Sequence, residues 1–462
     1  MAESPTTSTP GCSNCIRLER QIHQLQEEVA ELRRQIGRNS GNSSVPPSAN
    51  PPWAPRPVKK KPTGRRPGGQ AGHPGHFRKL LPVDQVDQVV KHKPTVCEHC
   101  AATFPENANW QLCSRHQVTE LPKPAVQVTE HQAYGCRREK CGRLTEAPIP
   151  EELTRSVLGE RLSAAVAFFS SRVHGSRRAV EEVLEEILGG PIALGTVSNR
   201  EREMAQALAE PCREAKAMVR KAPAKNVDET GWKGAGRYLW VAATRTLAVF
   251  HLDPCRNRDA MRTLLGNKVR GTICTDRYGV YGEVPLKQRA ICWAHLKRDF
   301  QQCQERGGAS EGIGRAGVGL CKSVSRQWHR FRGRQITRAL LAERIQPLRK
   351  RMQSLLRRGV GLQVKGTSGF CREVLAVEPA LWTFATVRGI EPTNNHAERM
   401  LRPAVMWRKQ SLGSHSVGGC RFVERMMTAV QTLKLRGRSV MDYLEQAVRA
   451  LRSGRSPPSL LA

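Results

Sequence analysis

Long apolar runs are missing from this 462-residue sequence. No stretch approaches the roughly 18 consecutive apolar residues that a membrane-spanning helix needs, which excludes a membrane partner of that kind. The opening MAESPTTSTPGCSNC has neither an apolar signal core nor a small-residue cleavage pattern, so the reading is a cytoplasmic protein. Acidic residues are scarce: 41 Asp and Glu stand against 75 Lys and Arg, a formal net charge of +34. That imbalance points to a polyanionic partner, and nucleic acid is the expectation. In a reducing compartment the 15 cysteines are read as thiols or metal ligands rather than disulfides.

What is there divides into segments. Residues 15–36 carry a heptad, with Cys15, Ile22, Val29 and Ile36 at a and Leu18, Leu25 and Leu32 at d. β-Branched residues at a with Leu at d favour a parallel two-stranded coiled coil and hence a homodimer or larger assembly. An amphipathic helix packed on the body is the alternative. Residues 37–79 form a basic, Pro/Gly-rich linker that cannot build a core; its Arg65 and Arg66 suit a disordered arm following DNA phosphates or a minor groove. Residues 80–150 are Cys-rich. Cys97-x-x-Cys100 and Cys136-x4-Cys141 offer four thiolates for a structural, tetrahedral Zn²⁺ site, with short strands between them. The second pair is wider than usual; Cys113, His99, His116 and His131 are substitutes, and unligated cysteines are the alternative.

Residues 151–220 read as helical. The Gly-Gly-Pro break before ALGTVSNRERE suggests a helix-turn-helix whose recognition helix opens at Thr196 to Arg202, with Arg200 as a DNA contact. A plain helical bundle fits equally. From 221 to 300 the period changes: NVDE, RYLWVAAT, LAVFHLD and GTICTD are strand-like, with a helix at RDAMRTLLG. This order suits a mixed sheet, with Asp228 at the end of the first strand and Asp276 at the end of the fourth. Residues 301–388 are helical and basic, 389–412 hold Glu398, and 413–462 are final helices. The fold class expected is multidomain α+β.

A few carboxylates gathered inside a strongly basic chain suggest a divalent metal presented to phosphate. Breaking a phosphodiester calls for an activated oxygen nucleophile, a stabilised leaving oxyanion and charge neutralisation, which Mg²⁺ or Mn²⁺ on hard oxygen ligands supplies. Four motifs stand in order: DET after an apolar run, D-x-Y-x-x-Y at Asp276–Tyr281, CWAHLKRDF at 292–300 and NNHAERMLRP at 394–403. With NSSVPPS and GGQAGHPGH in the linker, they resemble the DDE transposases of the insertion-sequence IS66 family.

The resemblance covers nearly the whole chain. It implies an RNase H-like catalytic core (221–300 and 389–412) interrupted by the helical insertion 301–388, and Asp228, Asp276 and Glu398 as catalytic metal ligands. It further implies metal-dependent cleavage at element ends and strand transfer into target DNA, with accessory transposition proteins as possible partners. A cleavage-inactive DNA-binding relic and a nuclease without strand transfer are the alternatives.

Around the triad, Glu398 stands three residues after Asn395, the spacing of a helix capping box, unless Thr393 is the N-cap. Glu229 and Glu391 are the nearest substitutes for triad members. Arg402 shares a helix face with Glu398 and suits the scissile phosphate. Pro403 is expected to kink or end that helix, leaving Arg408 and Lys409 on a new segment suited to DNA backbone. Cys292-x-x-His295 is read as a core thiol and a histidine near the site, and Trp407 as core or DNA-stacking.

Overall fold

The computed structural model describes residues 13–36, 80–119, 126–137, 139, 141, 143–154, 156–232, 236–410 and 414–462. The linker at 37–79, with Arg65 and Arg66, lies outside the described residues. The chain divides into two compact units, Arg56–Val126 and the remainder.

In the smaller unit, Cys97 and Cys100 sit on a tight reverse turn. Ala101 adopts a left-handed φ of 57°, its N–H donates to Cys97 O at 2.9 Å, and Cys97 N–H donates to Ala102 O at 2.8 Å. Val96 bridges Thr103 to close the turn.

In the larger unit, helix α1 (Ser13–Ile36) runs unbroken for 24 residues. Its heptad side chains Leu18, Ile22, Leu25, Val29 and Leu32 are 45–59% exposed. Strands β1 (Gly135–Arg137) and β2 (Leu144–Glu146) form a small antiparallel hairpin, with Cys136 in β1 and Cys141 in its loop. The alternating stretch before it forms no strand among the described residues. Val128 is 85% and Tyr134 76% exposed, so alternation there has no apolar surface to bury and no ladder to join.

Four helices follow: α2 (Glu160–Arg172), α3 (Arg177–Leu188), α4 (Leu194–Ala207) and α5 (Ala209–Lys221). Ser176 caps α3 by accepting from Ala179 N–H at 3.2 Å, and Gly189, at φ 63°, ends it. α4 is packed along one face. Val197, Met204, Ala205 and Ala207 bury it among α2 and the last two helices, α12 (Val417–Leu435) and α13 (Val440–Arg452). The segment is a helical bundle, and the C-terminal helices are part of it and of the central core rather than an appendage.

The sheet has the order β5-β4-β3-β6-β7: β3 (Ala224–Trp232), β4 (Arg237–Ala243), β5 (Ala248–Asp253), β6 (Thr272–Thr275) and β7 (Arg289–Ile291). β4 runs antiparallel to β3 and β5, whereas β6 is parallel to β3 and β7 to β6. α6 (Arg258–Leu265) links the two halves. Leu239 to Ala243 are all fully buried, the mark of a strand covered on both faces. β7, three residues long and containing a buried Arg289, is an element the hydrophobic pattern conceals.

At the outer edge of β5, a helix takes the place of a further strand. Ala248 N–H donates to Thr432 Oγ1 (3.2 Å), Phe250 N–H to Thr428 Oγ1 (3.0 Å) and Leu252 N–H to Glu424 Oε1 (2.5 Å). Four helical residues rise about 6 Å and two strand residues about 6.7 Å, so one α12 face matches alternate outward N–H groups of β5.

The insertion comprises α7 (Trp293–Glu305), α8 (Gly308–Arg332), α9 (Arg338–Gly361) and α10 (Thr367–Ala376), then two single turns. It has its own core, including Trp293, Phe300, Trp328, Trp382 and Phe384. Gly317 lets α8 lie against α7, because a Cβ there would run into the Phe300 ring. α11 (Asn395–Gln410) follows and continues through Pro403, contrary to the expected break. Ala397, Leu401, Ala404 and Trp407 bury one face on both sides of the proline, so packing holds the helix through the lost backbone hydrogen bond.

Candidate catalytic site

Parallel pairing of β3 with β6 sets Asn226 opposite Cys274. Two residues further along each chain stand Asp228, still in β3, and Asp276, just past β6. Asp276 thus lies just past the carboxyl end of β6, while Asp228, expected at a strand end, lies mid-strand level with it, because pairing with β4 carries β3 on to Trp232.

Glu398 is brought to them by Asn394. This fully buried side chain donates from Nδ2 to Val227 O at 2.8 Å and accepts from Asn226 Nδ2 at 3.0 Å. Its backbone N–H donates to Cys292 Sγ at 3.2 Å. The start of α11 is thus stitched to β3 beside Asp228 and to the segment that opens α7. Asn395 is the first helical residue, and Glu398 N–H donates to Asn394 O at 3.2 Å, an ordinary helical bond. No capping-box bond from Asn395 N–H to the Glu398 carboxylate occurs among the described residues. That carboxylate is 40% exposed and 3.9 Å from His295 Nδ1.

The electrostatics confirm one cluster. Burial pushes the Asp228 carboxyl up to about 8, and the carboxylates of Glu229, Asp276 and Glu398 push in the same direction. His295 is driven below the usual imidazole range, first by burial and then by Arg298, so it is neutral near pH 7. Burial raises the Cys292 thiol to about 11. The ligand atoms of Cys292, His295 and Glu398 lie within 4.8 Å of one another, but the thiol already serves as acceptor for the Asn394 amide.

Alternation along β3 turns Glu229 to the face opposite Asp228. Its carboxylate is nearly inaccessible and accepts from Arg256 Nε (2.9 Å), Arg256 Nη2 (2.6 Å) and Tyr281 OH (2.5 Å). The Arg256 guanidinium lies 3.9 Å over the Tyr278 ring. Tyr278 N–H in turn donates to Asp276 Oδ1 at 2.9 Å. The chain Glu229–Arg256–Tyr278–Asp276 links the loops that carry both aspartates. Sequence reasoning weighed Glu229 only as a substitute ligand and gave Asn394, Arg256 and the two tyrosines no role. The spacing of D-x-Y-x-x-Y and the Asn-Asn doublet before Glu398 were the available signals.

The basic candidates separate. Arg402 is exposed, one turn after Glu398 on α11. Arg408 donates to Thr230 Oγ1, the threonine of DET, at 3.0 Å, and Lys409 is exposed. Arg200 is turned inward, donating to Glu203 (2.7 Å) and Ser156 (2.9 Å) with its side chain 15% exposed. Trp407 is core: it stacks on His174 and meets Trp232 and Phe422 edge-on. Of the proposed zinc ligands, Cys97 and Cys100 belong to the smaller unit and Cys136 and Cys141 to the larger. Amide donors of His99 and Cys100 hold the Cys97 thiol below its usual range.

Fold and site together define a basic, mixed α/β protein with acidic side chains in the central strand β3, just past the neighbouring strand β6 and on a later helix. The chain belongs to the transposase IS66 family, whose model matches residues 155–421, more than half of it. Residues 12–79 match a family of unknown function, DUF6444. An uncharacterized protein of Sinorhizobium fredii, y4qI, is 30% identical over 175 residues, which are 36% of this chain and 31% of that protein. The match thus spans about a third of that relative's length. Among the described residues no helix is long and apolar enough to cross a membrane.

Proposed function

We propose that this transposase-family chain cuts DNA at the ends of an insertion element and joins the freed 3′-hydroxyl to target DNA, on an RNase H-like core. The observation that carries the reading is the convergence of Asp228, Asp276 and Glu398. The sheet supports it too, with order β5-β4-β3-β6-β7 and β4 alone running against the other four strands. Burial raises the Asp228 carboxyl to about 8 and the charges of Asp276 and Glu398 push it the same way, and carboxylate oxygens are the hard donors that a divalent cation takes.

Asp228, Asp276 and Glu398 would hold Mg²⁺ or Mn²⁺, which when bound supplies nucleophile activation and charge neutralisation on the phosphate. Asp228 is fixed within β3 and Asp276 just past the end of β6, while Glu398, on a helix, can adjust to the substrate. Neutral His295 faces Glu398 and can accept a proton at Nδ1. Arg402 is set to receive a phosphate oxygen. In the first step water attacks phosphorus, the P–O3′ bond breaks, and the 3′-hydroxyl and a 5′-phosphate result. In the second, that hydroxyl attacks a target phosphodiester and displaces a new 3′-hydroxyl. No covalent enzyme intermediate is needed.

The remaining modules fit the same task. The tight turn presenting Cys97 and Cys100 supports a thiolate pair for structural Zn²⁺. The exposed apolar stripe of α1 supports a homodimer that pairs two element ends in the bacterial cytoplasm, with accessory proteins as further partners.

Replacing Asp228 or Asp276 by Asn, or Glu398 by Gln, is expected to abolish metal-dependent nicking of end-containing DNA while binding persists. Cleavage retained in any one variant removes that residue from the triad. Cleavage without joined products would make the protein a nuclease, and neither activity in the wild type would make it a DNA-binding relic.

A further inference from the structure

A second site lies away from the carboxylates, between α7 and α8. A cavity of about 360 Å³ is lined by Lys297, Cys321, Lys322, Ser325, Arg326 and His329. Lys297 stands two residues after His295, about 200° around α7, and so faces away from the catalytic cluster. On α8, residues 322, 325, 326 and 329 recur at helical spacing and line one face.

The acid felt at the cavity wall, Asp299 through Cys321, is already paired with Arg277 at 2.8 Å. Among the described residues, no carboxylate lies within ion-pair reach of Lys297, Lys322, Arg326 or His329. Nearby arginines are paired: Arg277 with Asp299 and Glu373, Arg315 with Glu311. The negative end of the α8 dipole accounts for cations in its last turn, such as His329. It does not account for Lys322 and Arg326 further back, nor for Lys297 on another helix. Like charges converging on one hollow repel unless an anion sits there, and Ser325 adds a hydroxyl donor.

We propose that this cavity binds phosphates of the DNA backbone, holding duplex against the helical insertion as a contact separate from the cleavage centre. The proposal rests on the reading of the protein as a DNA-processing transposase. Affinity without sequence preference is its expected signature, because point charges on phosphate read no bases.

The test measures binding of a labelled duplex of arbitrary sequence to the full chain across a range of KCl concentrations. Each neutralised phosphate contributes about 0.9 to the slope of log K against log salt. The double variant K322Q/R326Q, at exposed positions, is expected to lower that slope by about 2 and to weaken binding at about 0.1 M salt by roughly 10-fold or more. K297Q, on the other helix, is expected to lower it by about 1. The comparison variant R161Q/R449Q removes the same charge from arginines already paired with carboxylates, and its slope should be unchanged.

Equal losses in both double variants, or none in K322Q/R326Q, would overturn the proposal. Inorganic phosphate bound at the cavity with no change in the DNA slope would overturn it as well, leaving a small-anion site. Wild-type protein that bound no DNA would instead sink the functional reading on which the proposal depends.

Discussion

Asp228 is buried beside Glu229, Asp276 and Glu398, and its folded-state pKa of about 8 lies well above the ordinary 3.8. Between those values the folded chain holds a proton that the unfolded chain has released, so this group makes stability fall as pH rises from about 4 to 8. Asp228→Asn should therefore stabilise the metal-free protein at pH 8, with a ceiling on the order of 5 kcal/mol at about 1.4 kcal/mol per unit, and do little at pH 4. Urea unfolding in chelator at the two pH values measures this. Glu229 calls for a different expectation. Glu229→Gln and Tyr281→Phe disturb the chain that aligns both aspartates without removing a ligand. The Mg²⁺ concentration for half-maximal nicking should rise about 10–100-fold, with saturating metal restoring most of the rate; a loss that metal cannot restore would argue for simple misfolding. The three acids were singled out in the sequence by the motifs DET, D-x-Y-x-x-Y and NNHAERMLRP, through the resemblance that those motifs carry. Asn394 and Arg256 were not, because their partners are distant in sequence and only folding reveals them.

Among the elements, α12 and the edge of β5 offer the clearest energetic test. Thr428→Val leaves the Phe250 N–H buried without its acceptor, at a cost of about 1–3 kcal/mol, whereas Thr428→Ser keeps the hydroxyl and should cost much less. Chemical denaturation of the two variants distinguishes a lost hydrogen bond from a lost methyl contact. Four of the five sheet strands were readable because β-branched runs alternate with turn residues. β7 was not, since a three-residue strand with a buried Arg289 has no period to detect. Two errors run the other way: Pro403 was given authority that the buried stripe of α11 overrules, and the alternating stretch before Gly135 was read as strand although no partner covers it. Local pattern proposes an element, and the surface available to bury it decides.

At the scale of the molecule, the charge excess and the order of segments were visible in advance, and the helical bundle was one of two readings held open. How the C-terminal helices join that bundle was not, because helix periodicity shows which face is apolar but not what covers it. For assembly, the exposed stripe of α1 predicts a dimer by sedimentation that Leu25→Lys with Leu32→Lys converts to monomer. Metal analysis of the same preparation should find about one zinc per chain, lost on Cys97→Ser. On the proposed reading the three carboxylates come from β3, from just past β6 and, beyond the whole helical insertion, from α11. A ribosome therefore makes both aspartates and the insertion before Glu398 exists, and a nascent chain that stops short of it cannot hold the complete metal site.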